Sequence, residues 1–108
     1  MINFDVLNEF MDNDQELIND ILEIFMAEHS NAHTEITTLY QQQDWDELFI
    51  KLHSLKGILA SFGEEQAVEL LQKLEQQVHN KIEPADTDIE QLGGQIETII
   101  KQITDYIN

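Results

Sequence analysis

Apolar residues recur every three or four positions along most of this chain, and that spacing is typical of amphipathic α-helices. A short first helix is predicted over residues 4–11, and residues 13–14 offer an N-cap for the next one. The pattern over residues 15–42 predicts a single helix of roughly 40 Å, since each residue adds about 1.5 Å. Its apolar positions are Ile18, Ile21, Leu22, Phe25, Ala32, Ile36 and Leu39.

The next helix has clear start and stop signals. Asp44 and Glu47 form an Asp-x-x-Glu start, a variant of the capping box, and Gly63 can end the helix in the left-handed conformation. Between these signals the apolar residues alternate strictly between spacings of three and four, which predicts one buried face: Trp45, Leu48, Leu52, Leu55, Leu59 and Phe62.

Two further helices complete the pattern. One is predicted over residues 64–80, and residues 81–85 form a short linker after it. Thr87 with Glu90 makes a Thr-x-x-Glu capping box, which predicts the start of the last helix. The apolar faces of the two helices are Ala67, Leu70, Leu71, Leu74 and Val78 in the first, and Ile89, Leu92, Ile96, Ile99, Ile103 and Tyr106 or Ile107 in the second.

These elements predict an all-α protein. One Pro and four Gly leave few helix breakers, and no sustained alternation or hairpin turn indicates a strand. Four long amphipathic helices with short connections predict an antiparallel up-down-up-down bundle, with the short N-terminal helix capping one end. Residues 1–108 suffice for one domain. The initial Met and the complete bundle favour a protein that works alone over a module of a larger kinase.

The charge balance narrows the choice of partners. Asp and Glu number 22 against five lysines and no arginine, so the formal net charge is −17. This excess disfavours binding to nucleic acid and to anionic membranes, and it favours a monomer whose partners present a positive face. Without cysteine, a signal peptide or an apolar run of membrane-spanning length, the chain fits a soluble protein of the reducing cytoplasm.

The segment around His53 carries the candidate chemistry. At about 100° per residue, His53 lies roughly 140° from the centre of the apolar face of its helix, so it is expected to point into solvent. Phe49 and Ile50 share that side, and apolar residues on an otherwise polar face often mark a docking surface. Phe49 could instead pack against the neighbouring helix.

Gly57 and Lys56 modify the surroundings of this imidazole. A glycine inside a helix costs about 1 kcal/mol relative to alanine, so its presence calls for a reason. Because helical side chains lean toward the N-terminus, a side chain at position 57 would cover His53, and its absence leaves the ring open. Lys56 leans the same way and can offset the added negative charge of a phosphoryl group. The pattern suits a phosphate-accepting histidine, although a solvent-facing histidine is more often an ordinary surface residue.

The motif has a close likeness among known families. The stretches His53-Ser54-Leu55-Lys56-Gly57 and Ala60-Ser61-Phe62-Gly63 resemble the signature of the histidine-containing phosphotransfer (HPt) domain, which is His-x-Leu-Lys-Gly followed by small residues, an apolar residue and Gly. Leu52 stands where the family usually has Ala. The likeness extends over the whole chain, because the family forms antiparallel four-helix bundles of about this length with the motif on the second long helix.

The resemblance implies a phosphorelay carrier that is not itself an enzyme. His53 would accept a phosphoryl group from a receiver-domain aspartate and pass it to another receiver, on a response regulator or a hybrid sensor kinase. Lys56 would stabilise the phosphorylated ring and Gly57 would keep it accessible. The docking face would include Phe49, Ile50, Ala60 and Ser61. The family implies no cofactor and no ATP binding, because the divalent metal and most catalytic groups belong to the receiver.

Two other classes remain open on the residues alone. The bundle could be a non-catalytic adaptor that binds a signalling partner through Phe49 and Ile50, with His53 incidental. His29 and His33 stand at i and i+4, a spacing that can chelate a metal, although two partly exposed surface histidines is the simpler interpretation. His79, near the end of its helix, could approach the helix that carries His53.

Overall fold

The structure, a computed structural model, describes residues 2–107, so the first and last residues of the predicted domain lie outside it. Those residues form six α-helices and no strand. The helices are α1 (Phe4–Phe10), α2 (Gln15–His29), α3 (Ala32–Gln41), α4 (Trp45–Ser61), α5 (Glu65–His79) and α6 (Asp86–Ile107). The predicted all-α class is therefore confirmed for the described chain.

All six helices contribute buried side chains to one shared core. α4 packs against α5, α3 packs against both α4 and α6, and α5 packs against α6. The predicted apolar faces of α4, α5 and α6 are buried as expected, except that Trp45 is only half-buried and Tyr106 and Ile107 are exposed. The result is a helical bundle whose centre is filled by leucine, isoleucine and two large rings, Phe25 and Phe62.

The predicted long helix over residues 15–42 is wrong in one respect, because it is broken after His29 into α2 and α3. Ser30 and Asn31 form the break, and both residue types favour helix ends because their side chains compete for backbone hydrogen bonds. The apolar periodicity continues across the break through Phe25 and Ala32, both buried, which is why the pattern indicated one helix.

The predicted capping signals are confirmed at two helices and wrong at one. The side chain of Asp14 caps α2 at the Leu17 amide, and the side chain of Asp44 caps α4 at the Glu47 amide. Thr87, however, lies inside the first turn of α6. The helix starts earlier because the carbonyl of Ala85 accepts the first helical bonds, from Asp88 and Ile89.

The turn after α4 uses the predicted left-handed glycine. Gly63 has φ +70°, and a methyl group there would lie 2.9 Å from the side chain of Asn3. The backbone amide of Asn3 in turn donates to the carbonyl of Phe62 at 3.0 Å. Gly63 therefore closes the turn that leads from α4 into α5 and lets the N-terminal segment pack against it.

Candidate functional site

His53 lies in the middle of α4 with 65% of its side chain exposed, which confirms its predicted orientation toward solvent. Its neighbours on the buried face, Leu52 and Leu55, are fully buried. The core packing of these leucines fixes the rotation of α4, and that rotation places the imidazole on the outside.

One nitrogen of this imidazole is held by α5. Nδ1 of His53 lies 2.7 Å from Oε1 of Glu75, a short distance typical of a charge-assisted hydrogen bond. A carboxylate can only accept, so the proton of the bond is on Nδ1. The described residues make no hydrogen bond or ion pair to Nε2. In the neutral ring, Nε2 therefore carries the free lone pair, on a side chain that is 65% exposed.

Glu75 also binds the lysine of the motif. Nζ of Lys56 lies 2.7 Å from Oε2 of Glu75, so one carboxylate bridges the imidazole and the ammonium. The Lys56 side chain is 25% exposed and the Glu75 side chain 10%. Burial raises the pKa of Glu75, but the hydrogen bonds and charges of Lys56 and His53 outweigh it and hold the pKa below its ordinary 4.5. Glu75 is thus ionised at neutral pH.

An aromatic residue supports the imidazole from the other side. The Phe49 ring stacks on His53 with centroids 6.1 Å apart and planes 7° apart, and it also contacts His79 at 5.8 Å. The contact with His79 confirms that Phe49 packs against α5, one of the two alternatives considered from the sequence. The approach of His79 to α4, considered from sequence, is confirmed by the same contact.

Gly57 leaves open space one turn beyond His53. A methyl group built at this position meets no atom within 4 Å, so no packing contact explains the missing side chain. The space above this turn of α4 is therefore open to solvent or to a partner.

The other predicted docking residues are distributed along α4. Ile50 is 59% exposed, Ala60 is exposed, and Ser61 is half-buried with its hydroxyl donating to the carbonyl of Ile58 at 2.6 Å. Ala60 lies about 10 Å further along the helix than His53, at 1.5 Å per residue. The structure thus groups His53 tightly with Lys56 and Phe49, and leaves Ala60 and Ser61 at the far end of the same face.

The residue that sequence reasoning missed is Glu75. It belongs to the buried stripe of α5, four residues after Leu71 and three before Val78, and it is only 7% exposed. A single carboxylate within an apolar stripe indicates a buried cationic or donor partner, and this was the available signal. Which partner it binds depends on the packing of α5 against α4.

The pair His29 and His33, considered from sequence as two partly exposed histidines, matches that expectation only at His33. His29 is buried, with only 4% of its surface exposed. It is the last residue of α2 and lies on the buried face of that helix. Its Nδ1 accepts a hydrogen bond from Nζ of Lys51 at 3.0 Å. His33 is the second residue of α3, beyond the break, and its Nδ1 lies 3.4 Å from Oε1 of Glu97. Among residues 2–107, no group of three or more histidines and carboxylates could hold a metal ion.

Comparison with known proteins agrees with the motif. A family model described as the Hpt domain matches residues 20–105, a span that contains His53, Lys56, Gly57 and Glu75. No curated protein and no solved structure gives a significant match. No helix within residues 2–107 combines the length and the apolar character needed to cross a membrane.

Proposed function

The chain belongs to the Hpt domain family, whose members are phosphotransfer carriers of phosphorelays, and on that premise we propose that His53 carries a phosphoryl group from one receiver domain to another. The observation that supports this role most strongly is the 2.7 Å bond between Nδ1 of His53 and Glu75. It leaves Nε2 as an exposed nucleophile with a fixed direction.

The proposed transfer needs no proton to leave the attacking atom. Nε2 attacks the phosphorus of a receiver aspartyl phosphate, the N–P bond forms, and the bond from phosphorus to the aspartate oxygen breaks. The aspartate leaves as a carboxylate. The imidazole becomes a cation with its proton on Nδ1, and the ionised Glu75 faces that proton. Glu75 therefore stabilises the charge that develops on the ring.

Lys56 offsets the negative charge of the new group. A phosphoryl group adds between about one and a half and two negative charges to a chain of net charge −17. The bridging Glu75 already holds the Lys56 ammonium beside the ring, so little side-chain ordering remains to be done when the phosphoryl group arrives.

Membership of the Hpt family also supports a helix arrangement, a docking face and an oligomeric state for this chain. We propose an antiparallel four-helix bundle in which α2 together with α3 forms the first long helix and α4, α5 and α6 follow alternately down and up, with α1 capping one end, where it contacts α2 and α4. The docking face comprises Phe49, Ile50, Ala60 and Ser61, and Gly57 keeps the approach to His53 open. The protein acts as a monomer in the cytoplasm, and the strong negative charge supports the monomer by repulsion between copies.

Label transfer tests this function directly. The full chain is incubated with receiver domains phosphorylated by labelled acetyl phosphate, and acid-labile, base-stable label on the chain is followed over time. We expect label on the wild type and none on His53→Gln. Equal labelling of both proteins would overturn the role of His53, and stable binding of a partner without any phosphate would favour the adaptor.

A further inference from the structure

A groove opens on the far side of Phe49 from His53. It has a volume of about 820 Å³ and lies between the start of α4 and the end of α5, with the α5–α6 linker along one edge. This volume is typical of a concave binding site. The apolar side chains that line it are Trp45, Phe49, Ile50, Val78 and Ile82.

The two edges of the groove expose aliphatic side chains. Ile50 on α4 is 59% exposed and Ile82 on the linker is 54% exposed. Together with the half-buried Trp45 and Phe49, they form a continuous apolar surface, which is unfavourable in water and becomes favourable when another apolar surface covers it.

The groove also contains a cation that lacks a partner. Lys51, Lys56, Lys73 and Lys101 each have a carboxylate within 4 Å. Lys81 has none among residues 2–107, although the chain carries 22 acidic residues. Its backbone is left-handed, with φ +61°, and it lines the groove next to Ile82, together with the acidic residues Asp46 and Glu83.

The groove is continuous with the proposed phosphorylation site. The ring of Phe49 forms part of its wall and stacks on the imidazole of His53. A stable protein interface covers roughly 800 Å² on each partner, an area that reaches about 16 Å in every direction from its centre. A receiver centred on His53 therefore extends over Phe49 and into the groove.

We propose that this groove seats an apolar side chain of the receiver, with an adjacent receiver carboxylate paired to Lys81, and that Ile82 and Lys81 select which receivers are bound. The proposal rests on the proposed function. It extends the docking face from α4 to the α5–α6 linker, away from the residues that take part in phosphoryl transfer.

The test compares groove variants with matched variants elsewhere. Ile82→Glu and Lys81→Glu change the groove, whereas Ile107→Glu, at a residue 40% exposed, and Lys101→Glu make the same changes on α6. The affinity of the wild type and of each variant is measured by titration with the receiver that transfers label fastest to the wild type. The rate of phosphorylation by phosphoramidate measures the reactivity of the His53 imidazole without a protein partner. Thermal unfolding followed by circular dichroism establishes that each variant is folded.

Each groove substitution is expected to weaken receiver binding by about tenfold or more, as for an anchor contact buried in a pocket. The α6 variants should bind within about twofold of the wild type, and all of the variants should react normally with phosphoramidate. Wild-type affinity in the groove variants, or an equal loss of affinity in the α6 variants, would overturn the proposed docking of the receiver in the groove. Either result would leave the phosphocarrier role intact. Failure of every receiver to label the wild type would overturn both.

Discussion

At the residue scale, the imidazole of His53, the proposed phosphate acceptor, is held from two directions. Glu75 fixes Nδ1 of His53 at 2.7 Å, and Phe49 stacks on the ring. The motif on α4 identified His53, Lys56 and Gly57 from sequence as the candidate site. Glu75 could not be assigned to His53 in that way, because the two residues are 22 positions apart and meet only through the packing of α4 against α5.

Removal of the Glu75 carboxylate should change where the imidazole carries its proton. In the wild type we expect the neutral ring of His53 to be protonated on Nδ1, since the carboxylate accepts that hydrogen bond. Glu75→Ala should transfer a substantial part of the population to the Nε2–H tautomer and slow phosphorylation by phosphoramidate. Two-dimensional ¹H–¹⁵N spectra of the histidine ring nitrogens report the tautomer.

Glu75→Gln is the matched control for this change, because its amide oxygen can still accept from Nδ1 but carries no charge. We expect Glu75→Gln to retain the Nδ1–H tautomer and to phosphorylate more slowly than the wild type, since the charge that faces the imidazolium is lost. A wild-type tautomer in Glu75→Ala would show that the 2.7 Å contact does not position the ring.

At the scale of the helices, the sequence pattern predicted the bounds of some elements better than those of others. α4, α5 and α6 were predicted closely because their apolar spacing is regular, although the capping box predicted for α6 lies inside its first turn. The break between α2 and α3 was missed because it contains neither Gly nor Pro, and because His29 occupies a buried position in the same register as Phe25 and Ala32. A periodic pattern reports which face is buried and does not report whether the backbone is continuous.

The glycines of α4 and α6 differ in what surrounds them, which predicts opposite effects of a methyl group. A Cβ at Gly57 or at Gly94 meets nothing within 4 Å, whereas a Cβ at Gly93 runs into the ring of His33. We expect Gly57→Ala and Gly94→Ala each to raise the unfolding free energy by up to about 1 kcal/mol. Gly93→Ala should raise the unfolding free energy by less than the other two substitutions, or lower it. Urea denaturation measures the three values, and equal stabilisation at all three positions would contradict the packing of His33 against α6.

A large side chain at Gly57 should obstruct phosphoryl transfer without unfolding the bundle. Gly57→Phe places a ring over the approach to His53, so label transfer from a receiver should fall at least about a hundredfold, a loss comparable to that caused by misplaced reacting groups. Gly94→Phe introduces the same ring on α6 and should transfer label normally. Unchanged transfer by Gly57→Phe would contradict accessibility as the reason for this glycine.

At the scale of the whole molecule, most of the few cations are paired with carboxylates. Four of the five lysines are paired with carboxylates, and Lys51 also donates to the buried His29. Burial, followed by the neighbouring Lys51 ammonium, lowers the pKa of His29 below its ordinary 6.5. The folded protein therefore favours the neutral form of this imidazole, while the unfolded chain binds a proton more readily.

Mild acid should consequently destabilise the bundle through His29. Because the folded pKa is the lower one, this residue's contribution to stability is present above pH 6.5 and is lost as the pH falls from 6.5 through the folded pKa. The slope is at most about 1.4 kcal/mol per pH unit for one proton. His29→Gln should flatten this dependence just below pH 6.5 in urea denaturation, and His33→Gln should retain it. An unchanged slope in His29→Gln would show that another group is responsible.

The identity of the phosphorylated nitrogen is the most direct test of the site. ¹⁵N-labelled protein, phosphorylated by its receiver, gives ring-nitrogen shifts and couplings to phosphorus that distinguish the two nitrogens of His53. The geometry at Glu75 predicts phosphorus on Nε2 and a retained proton on Nδ1. Phosphorus on Nδ1, or on any residue other than His53, would contradict it.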